Sequence, residues 1–319
     1  MENDQRTQKL RERLKYRPYE ICANRIGVLM IIQQVIFQVG SIVVLFILLI
    51  AEGISRGGFD IHRLVRMLSN TNNVVFDVYL ASAIMQIVSG ICFLVFFLIN
   101  KDVIIHAPIS GGKMSFSLII SCMLVVLAVN AVITSSGQLI DDLSVSNAVS
   151  GLSMGGNKHA LGLFFLVAVF PAIVEELFYR GVVFRYLRRG GFGFAAVISS
   201  LIFGMVHMNI TQLIFAGILG FVLCYLYELT GHIWPGMIIH FVNNAVVLLL
   251  TYFQKASYFR ICVYAAGFVS LVSLIVLYVL KFRHISVGDR KAIVKGLTTV
   301  GMIIFLIIGI CICLIQLSM

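Results

Sequence analysis

Run after run of about twenty apolar residues, each nearly free of charge, dominates this chain and leaves few folds open to it. A helix crossing the hydrocarbon core of a bilayer needs about 20 mainly apolar residues. The stretches that qualify are 27–51, 74–99, 115–135, 159–184, 193–208, 210–229, 234–253, 260–280 and 298–318. The fifth is short. Either it is tilted or it packs wholly inside the bundle, and with the sixth it can form a tight hairpin around Met208-Asn209. Of the 319 residues, 60% are hydrophobic and 12% charged. A soluble domain has nearer half and a quarter. The expected fold is therefore all-α, a polytopic transmembrane helix bundle of about eight or nine spans, with no polar stretch long enough for a soluble domain.

The formal charge of +10 would suggest nucleic-acid binding in a soluble protein. Here the basic residues lie in short segments between apolar runs, which fits membrane orientation and argues against a nucleic-acid partner. With the N-terminus in the cytoplasm, the inner segments hold the cluster from Arg6 to Arg25, then Lys101, Lys113, Arg185, Arg188, Arg189 and the group from Lys281 to Lys295. The outer segments hold fewer: Arg56, Arg63, Arg66, Lys158, Lys255 and Arg260. The first apolar run is too long for a signal h-region and is expected to stay as an anchor. The division expected is a basic cytoplasmic segment at 1–26, N-terminal helices and loops at 27–158, polar-rich helices at 159–253 and C-terminal helices at 254–319. Residues 1–25 suit either an amphipathic helix on anionic lipid or a solvated basic tail. Residues 136–158 read as an outer loop. The seven cysteines mostly lie inside apolar runs without a CxxC pair and read as small hydrophobes.

Ionisable residues inside a bilayer are costly and mark function by default. They concentrate in 159–253. The first cluster is Pro171-Ala-Ile-Val-Glu175-Glu176-Leu-Phe-Tyr-Arg180. Pro171 has no N–H, so it frees the carbonyl of Val167 and tends to kink the helix. Glu176 and Arg180 are four apart with the acid first, the favourable helix ion pair. Glu175 is turned by about 100° from Glu176 and has no obvious local partner. One carboxylate is thus paired and the other free, and the free one suits acid–base work. The plainer reading gives both to a structural ion-pair network. Phe203 and His207 follow, four apart on one helix face, where a lone His is more often a satisfied interface residue. Then come His240, Asn243 and Asn244. His240 and Asn244 share a face and offer two donors that suit a developing oxyanion. Helix–helix hydrogen bonding is the plainer alternative, and it fits Asn243 best. No HExxH zinc helix occurs.

Together the three clusters resemble the CPBP family of intramembrane proteases, also called Abi or CAAX proteases, whose type case is the type II CAAX prenyl endopeptidase. The family's EExxxR, FxxxH and HxxxN appear as Glu175-Glu176-Leu-Phe-Tyr-Arg180, Phe203-Gly-Met-Val-His207 and His240-Phe-Val-Asn243-Asn244. The resemblance covers about 155–253. It implies an endopeptidase whose catalytic residues are Glu175, Glu176, His207, His240 and Asn244, with Arg180 structural. Glu175, assisted by His207, would activate water, and His240 with Asn244 would stabilise the oxyanion. The implied partners are a peptide or membrane-protein substrate and the lipid bilayer; the expected location is a bacterial plasma membrane. A metal-free glutamate mechanism fits the residue types better, since Asn is a poor zinc ligand. The alternative is Zn held by Glu175, His207 and His240.

Two other functions stand beside this one. A proton-coupled transporter also uses buried carboxylates and histidines, though no second copy of the polar set accompanies it. A non-catalytic immunity or scaffold protein would need binding alone. Depth is the sharpest geometric test. A straight fifth span would carry His207 towards the outer side, away from Glu175, unless the Arg188-Arg189-Gly190-Gly191 turn dips or the helix tilts.

Overall fold

A computed structural model describes residues 2–55, 71–112, 115–135, 160–252, 265, 272 and 289–318. The regular elements are α1 (Glu2–Ser55), α2 (Thr71–Ile99), the short α3 (Lys101–Ile105), α4 (Phe116–Ser135), a composite α5 over 160–187, α6 (Phe192–Met205), α7 (Ile210–Thr230), α8 (Trp234–Tyr252), α9 (Arg290–Leu297) and α10 (Val300–Ser318). Among the described residues no strand occurs, so the chain is an all-α bundle. Four helices are long and apolar enough to cross a membrane. The pair α9–α10, bent by 71°, is apolar enough to count as a fifth if its two halves form one span, and three shorter apolar helices lie in α4, α6 and α8. The expected span at 260–280 and the loop at 136–158 fall outside the described residues, apart from 265 and 272.

The N-terminal boundary expected at residue 26 lies inside a helix. α1 runs unbroken for 54 residues through Pro18. At 1.5 Å per residue that is about 80 Å, far more than a bilayer core needs. Its basic first half is helical and largely exposed. It extends the first span and is held by α9. Tyr16 and Lys15 donate to Asp289 at 2.7 and 3.2 Å, and Lys291 reaches Glu12 at 3.0 Å. α9 itself is capped by Asp289, whose side chain accepts from the Lys291 amide. Further along, α1 crosses α10 where Gly27 meets Gly301. A Cβ on either glycine would strike the other helix's backbone, and the Asn24 side chain accepts the Gly301 amide.

α5 carries the centre of the molecule. It is helical throughout but widens into π-turns at Phe165–Val169 and Tyr179–Phe184. The first π-turn stands immediately before Pro171, where the missing amide already disrupts the ladder. α6 is buried on nearly every face and turns at 206–209 into α7, packing against it as an antiparallel hairpin. Met208 takes φ +53°, and Asn209 caps α7 by accepting the Gln212 amide. The short fifth span thus lies inside the bundle and pairs with the sixth around Met208-Asn209, as the sequence suggested. Arg188, at the α5–α6 turn, makes a bidentate pair with Glu228 at 2.8 and 2.6 Å. This fastens the turn to the far end of α7. The expectation that Arg188 acts through membrane orientation is therefore joined by a direct structural role.

The Tyr16 hydroxyl, with the Lys15 ammonium beside it, holds the Asp289 carboxyl below the usual carboxylate range. A depressed carboxylate stabilises its contact at neutral pH and loses that contribution as pH falls through its folded value. The pair is exposed, so its effect is local rather than global. Asp289→Asn should reduce amide-exchange protection of 290–297 at neutral pH to the level that wild type reaches only on acidification. Equal protection in the two proteins at neutral pH would contradict this docking role.

Candidate active site

The motif residues come from three helices, α5, α6 and α8. α5 supplies Glu175, Glu176 and Arg180; the turn after α6 supplies His207; α8 supplies His240, Asn243 and Asn244. The two glutamates separate as their helix angle requires. Glu176 is buried, with 1% of its side chain exposed, whereas Glu175 keeps 17%. Arg180 Nη1 donates to Glu176 Oε1 at 2.6 Å and Nη2 to the Gly220 carbonyl at 3.1 Å. The guanidinium also lies 4.4 Å from the centre of the Phe203 ring. Phe203 is thus the lid of a buried ion pair as well as a member of the FxxxH motif.

His240 completes this network. Its Nδ1 lies 3.1 Å from Glu176 Oε1, so Nδ1–H donates to the carboxylate and fixes the direction of the ring. Nε2 is then turned towards Glu175, 3.9 Å from Oε2. The approach of α8 depends on Gly236, one turn before His240. A Cβ there would sit 3.1 Å from Glu176 Oε2, tighter than ordinary contact. The first turn of α8 also presents the positive end of its helix dipole to Glu176.

Asn244 answers the consequence of Pro171. Its Nδ2 donates to the Val167 carbonyl at 3.4 Å, the acceptor that the proline was expected to free. That contact is long, and the amide keeps a second N–H. Asn243 is buried, accepts from Asn130 of α4 and donates to Asn244 Oδ1 at 3.2 Å. It is a helix–helix contact, matching the plainer reading of that residue. His207 donates Nδ1–H to the Phe203 carbonyl at 2.8 Å, which leaves Nε2 as an acceptor in the neutral ring. The His207 and His240 rings both meet Phe203 edge-on, at 5.4 and 5.7 Å between centroids. No hydrogen bond joins His207 to Glu175 directly.

The depth problem resolves by counting from the α5–α6 turn. Glu175 lies twelve residues before Leu187, and His207 fifteen after Phe192. At 1.5 Å per residue both are about 20 Å from the turn. The arms of the hairpin are nearly equal, so no dip or strong tilt is needed.

Glu175 is not free. Gln86 of α2 donates Nε2 to Glu175 Oε1 at 2.8 Å. This partner lies almost ninety residues away and outside every motif. Gln34 of α1 likewise donates to the Val206 carbonyl, next to His207, at 2.7 Å. The available signal was an uncharged amide inside an apolar run. For zinc, the set Glu175, His207 and His240 does not converge: among the described residues, no three His, Cys, Asp or Glu side chains form a metal-ligand group.

Residues 157–246 match the family described as type II CAAX prenyl endopeptidase Rce1-like. The family resemblance seen in the motifs therefore stands. The Rce1-like segment contains Glu175, Glu176, Arg180, His207, His240 and Asn244. The chain is also similar to a Bacillus subtilis (strain 168) protein named "Putative membrane peptidase YdiL", with 35% identity over 79 residues, 24% of this chain. The chain spans about a third of that relative's length, 32%. No solved structure matches the chain. The membrane helices support an integral membrane protein, and one segment of it resembles a peptidase family.

Removing Arg180 should expose the cost of the buried network. Breaking a buried pair by deleting one partner typically costs about 3–5 kcal/mol. Arg180→Met should lower thermal stability in detergent markedly more than the double change Arg180→Met with Glu176→Gln, because the second change removes the stranded charge. Equal losses would mean that Glu176 is satisfied without Arg180.

Proposed function

We propose that the protein is an intramembrane endopeptidase acting on a peptide or membrane-anchored protein, with its N-terminus in the cytoplasm of a bacterial cell. The observation that carries this reading is the 3.9 Å gap between Glu175 Oε2 and His240 Nε2. It lies beside a second carboxylate that is already neutralised by Arg180. Glu175 is the partly exposed acid, and it has a histidine opposite it rather than a permanent cation.

In this mechanism Glu175 takes a proton from a water as its oxygen attacks the scissile carbonyl. The acceptor Nε2 of His207 orients that water. The tetrahedral oxyanion is met by the open N–H of Asn244 and by His240, whose Nε2 donates in the doubly protonated ring. Glu175 then returns its proton to the leaving amine, so it serves as base and acid in turn. Glu176 acts through His240: its carboxylate sets the ring's direction and balances the charge of the doubly protonated ring, which neither gains nor loses a proton in the cycle, the part an orienting carboxylate plays in other hydrolytic sites. Zinc enters no step.

Glu175→Ala should abolish cleavage while the protein still accumulates in the membrane. Comparing membrane peptides and new N-termini between wild type and Glu175→Ala cells checks this. Identical profiles would remove Glu175 from the reaction and the peptidase reading with it. Glu176→Gln should instead leave a reduced, measurable rate, because the amide still accepts from His240.

A further inference from the structure

The Rce1-like segment does not complete its own site. Gln86, which holds Glu175, and Gln34, which holds the carbonyl before His207, both belong to helices before residue 157. We infer that α2 is a working part of the active site and that Gln86 is a positioning residue for the Glu175 carboxylate. This rests on the peptidase reading and deepens it.

A carboxylate on a glutamate side chain rotates over a broad, nearly two-fold well. One directional N–H removes that freedom. With Oε1 accepting from Gln86, Oε2 is the oxygen turned to His240. The donor is itself fixed. Gln86, Gly90 and Phe93 lie on one face of α2, four and three residues apart. Gly90 is where Phe178 of α5 closes in; a Cβ there would overlap the ring. Phe93 stacks on the same Phe178 ring at 4.4 Å with 7° between planes. These contacts set the register of α2 against α5, and Gln86 falls one turn from Gly90, level with Glu175. Gln33 of α1, by comparison, donates to the Ser89 hydroxyl of α2 at 3.3 Å.

Gln33 supplies the contrast. It and Gln86 are both amides in the α1–α2–α5 contact region. Gln33 spends its N–H on a serine hydroxyl, whereas Gln86 spends its own on the ionisable group proposed as the base. A merely structural amide would behave like Gln33.

The test compares full-length wild type, Gln86→Met, Gln86→Glu, Gln33→Met and Glu175→Ala in lipid nanodiscs, using a quenched fluorogenic peptide library. Gln86→Met keeps length and loses the N–H; Gln86→Glu keeps shape as well. Hydrogen bonds to charged groups are strong enough that kcat should fall roughly 10- to 100-fold in each. KM should stay within about twofold, because Gln86 touches Glu175 and not the substrate. Gln33→Met should keep kcat within about twofold even where it lowers the unfolding temperature. The Glu175 carboxylate band, isolated by infrared difference against Glu175→Gln, should move in Gln86→Met and stay in Gln33→Met, whether or not a peptide is cleaved. Glu175-dependent cleavage with unchanged kcat in folded Gln86 variants would overturn the role of Gln86 and leave the peptidase reading standing. Equal cleavage by wild type and Glu175→Ala would overturn that reading, and an unmoved infrared band would separately overturn the contact. If Gln86→Met fails to fold, Gln86→Glu carries the same expectation.

Discussion

Everything at the centre of this molecule depends on pairing one buried carboxylate with one buried guanidinium. Glu176 is buried, and a buried charge is tolerated only when it is paired and hydrogen-bonded. Arg180 supplies the charge, but an arginine brings a desolvation cost of its own. The Gly220 carbonyl and the Phe203 ring meet part of that cost. His240 then uses the remaining capacity of the same carboxylate oxygen. Four helices are held to one another by this network: α5 through Glu176 and Arg180, α6 through Phe203, α7 through Gly220, and α8 through His240 and the close approach at Gly236. In a bundle where lipid is as apolar as the side chains, such polar contacts help to choose one packing among many.

The adjacent glutamates show how one helix turn divides chemistry. A rotation of about 100° per residue sends Glu176 into the network and leaves Glu175 at its edge. The network benefits Glu175 indirectly, since it presents an oriented His240 without placing a permanent cation against the second carboxylate. Had Arg180 reached Glu175 instead, the group would be committed to an ion pair and poorly suited to exchange protons.

Much of this was legible in the chain. The apolar runs announced the helices, and the i, i+4 spacings of Glu176–Arg180, Phe203–His207 and His240–Asn244 announced which side chains share a face. The Val167 carbonyl freed by Pro171 pointed to an acceptor that Asn244 now fills. What was missed has a common physical cause. Charges in apolar runs are conspicuous because they are costly, whereas uncharged amides are cheaper and pass as tolerated polar residues. Gln33, Gln34, Gln86 and Asn130 therefore escaped notice, although each meets a polar partner across a helix interface. Their partners lie 56, 172, 89 and 113 residues away, and no local spacing encodes such a distance. The length of α1 was hidden differently. Its basic first half satisfies composition as a tail, and only the docking of α9 from the other end of the chain shows why it stays helical.

The expectation that a straight fifth span would carry His207 away from Glu175 turns on where that short span ends. α6 is shorter than a bilayer core is thick. With 14 residues it rises about 21 Å and ends inside the bundle, where Met208 and Asn209 reverse the chain. That early ending puts His207 level with Glu175, as the proposed mechanism requires. Full length would deliver His207 to the far surface and leave the carboxylate alone. A reversal at that depth needs its loose backbone groups satisfied inside the protein. The Asn209 cap on α7 and the Gln34 bond to the Val206 carbonyl do this. The second of these comes from α1. Gln34 and Gln86, on the first two helices, therefore serve one end: they support the α6–α7 reversal and the off-network carboxylate at the same level of the bundle.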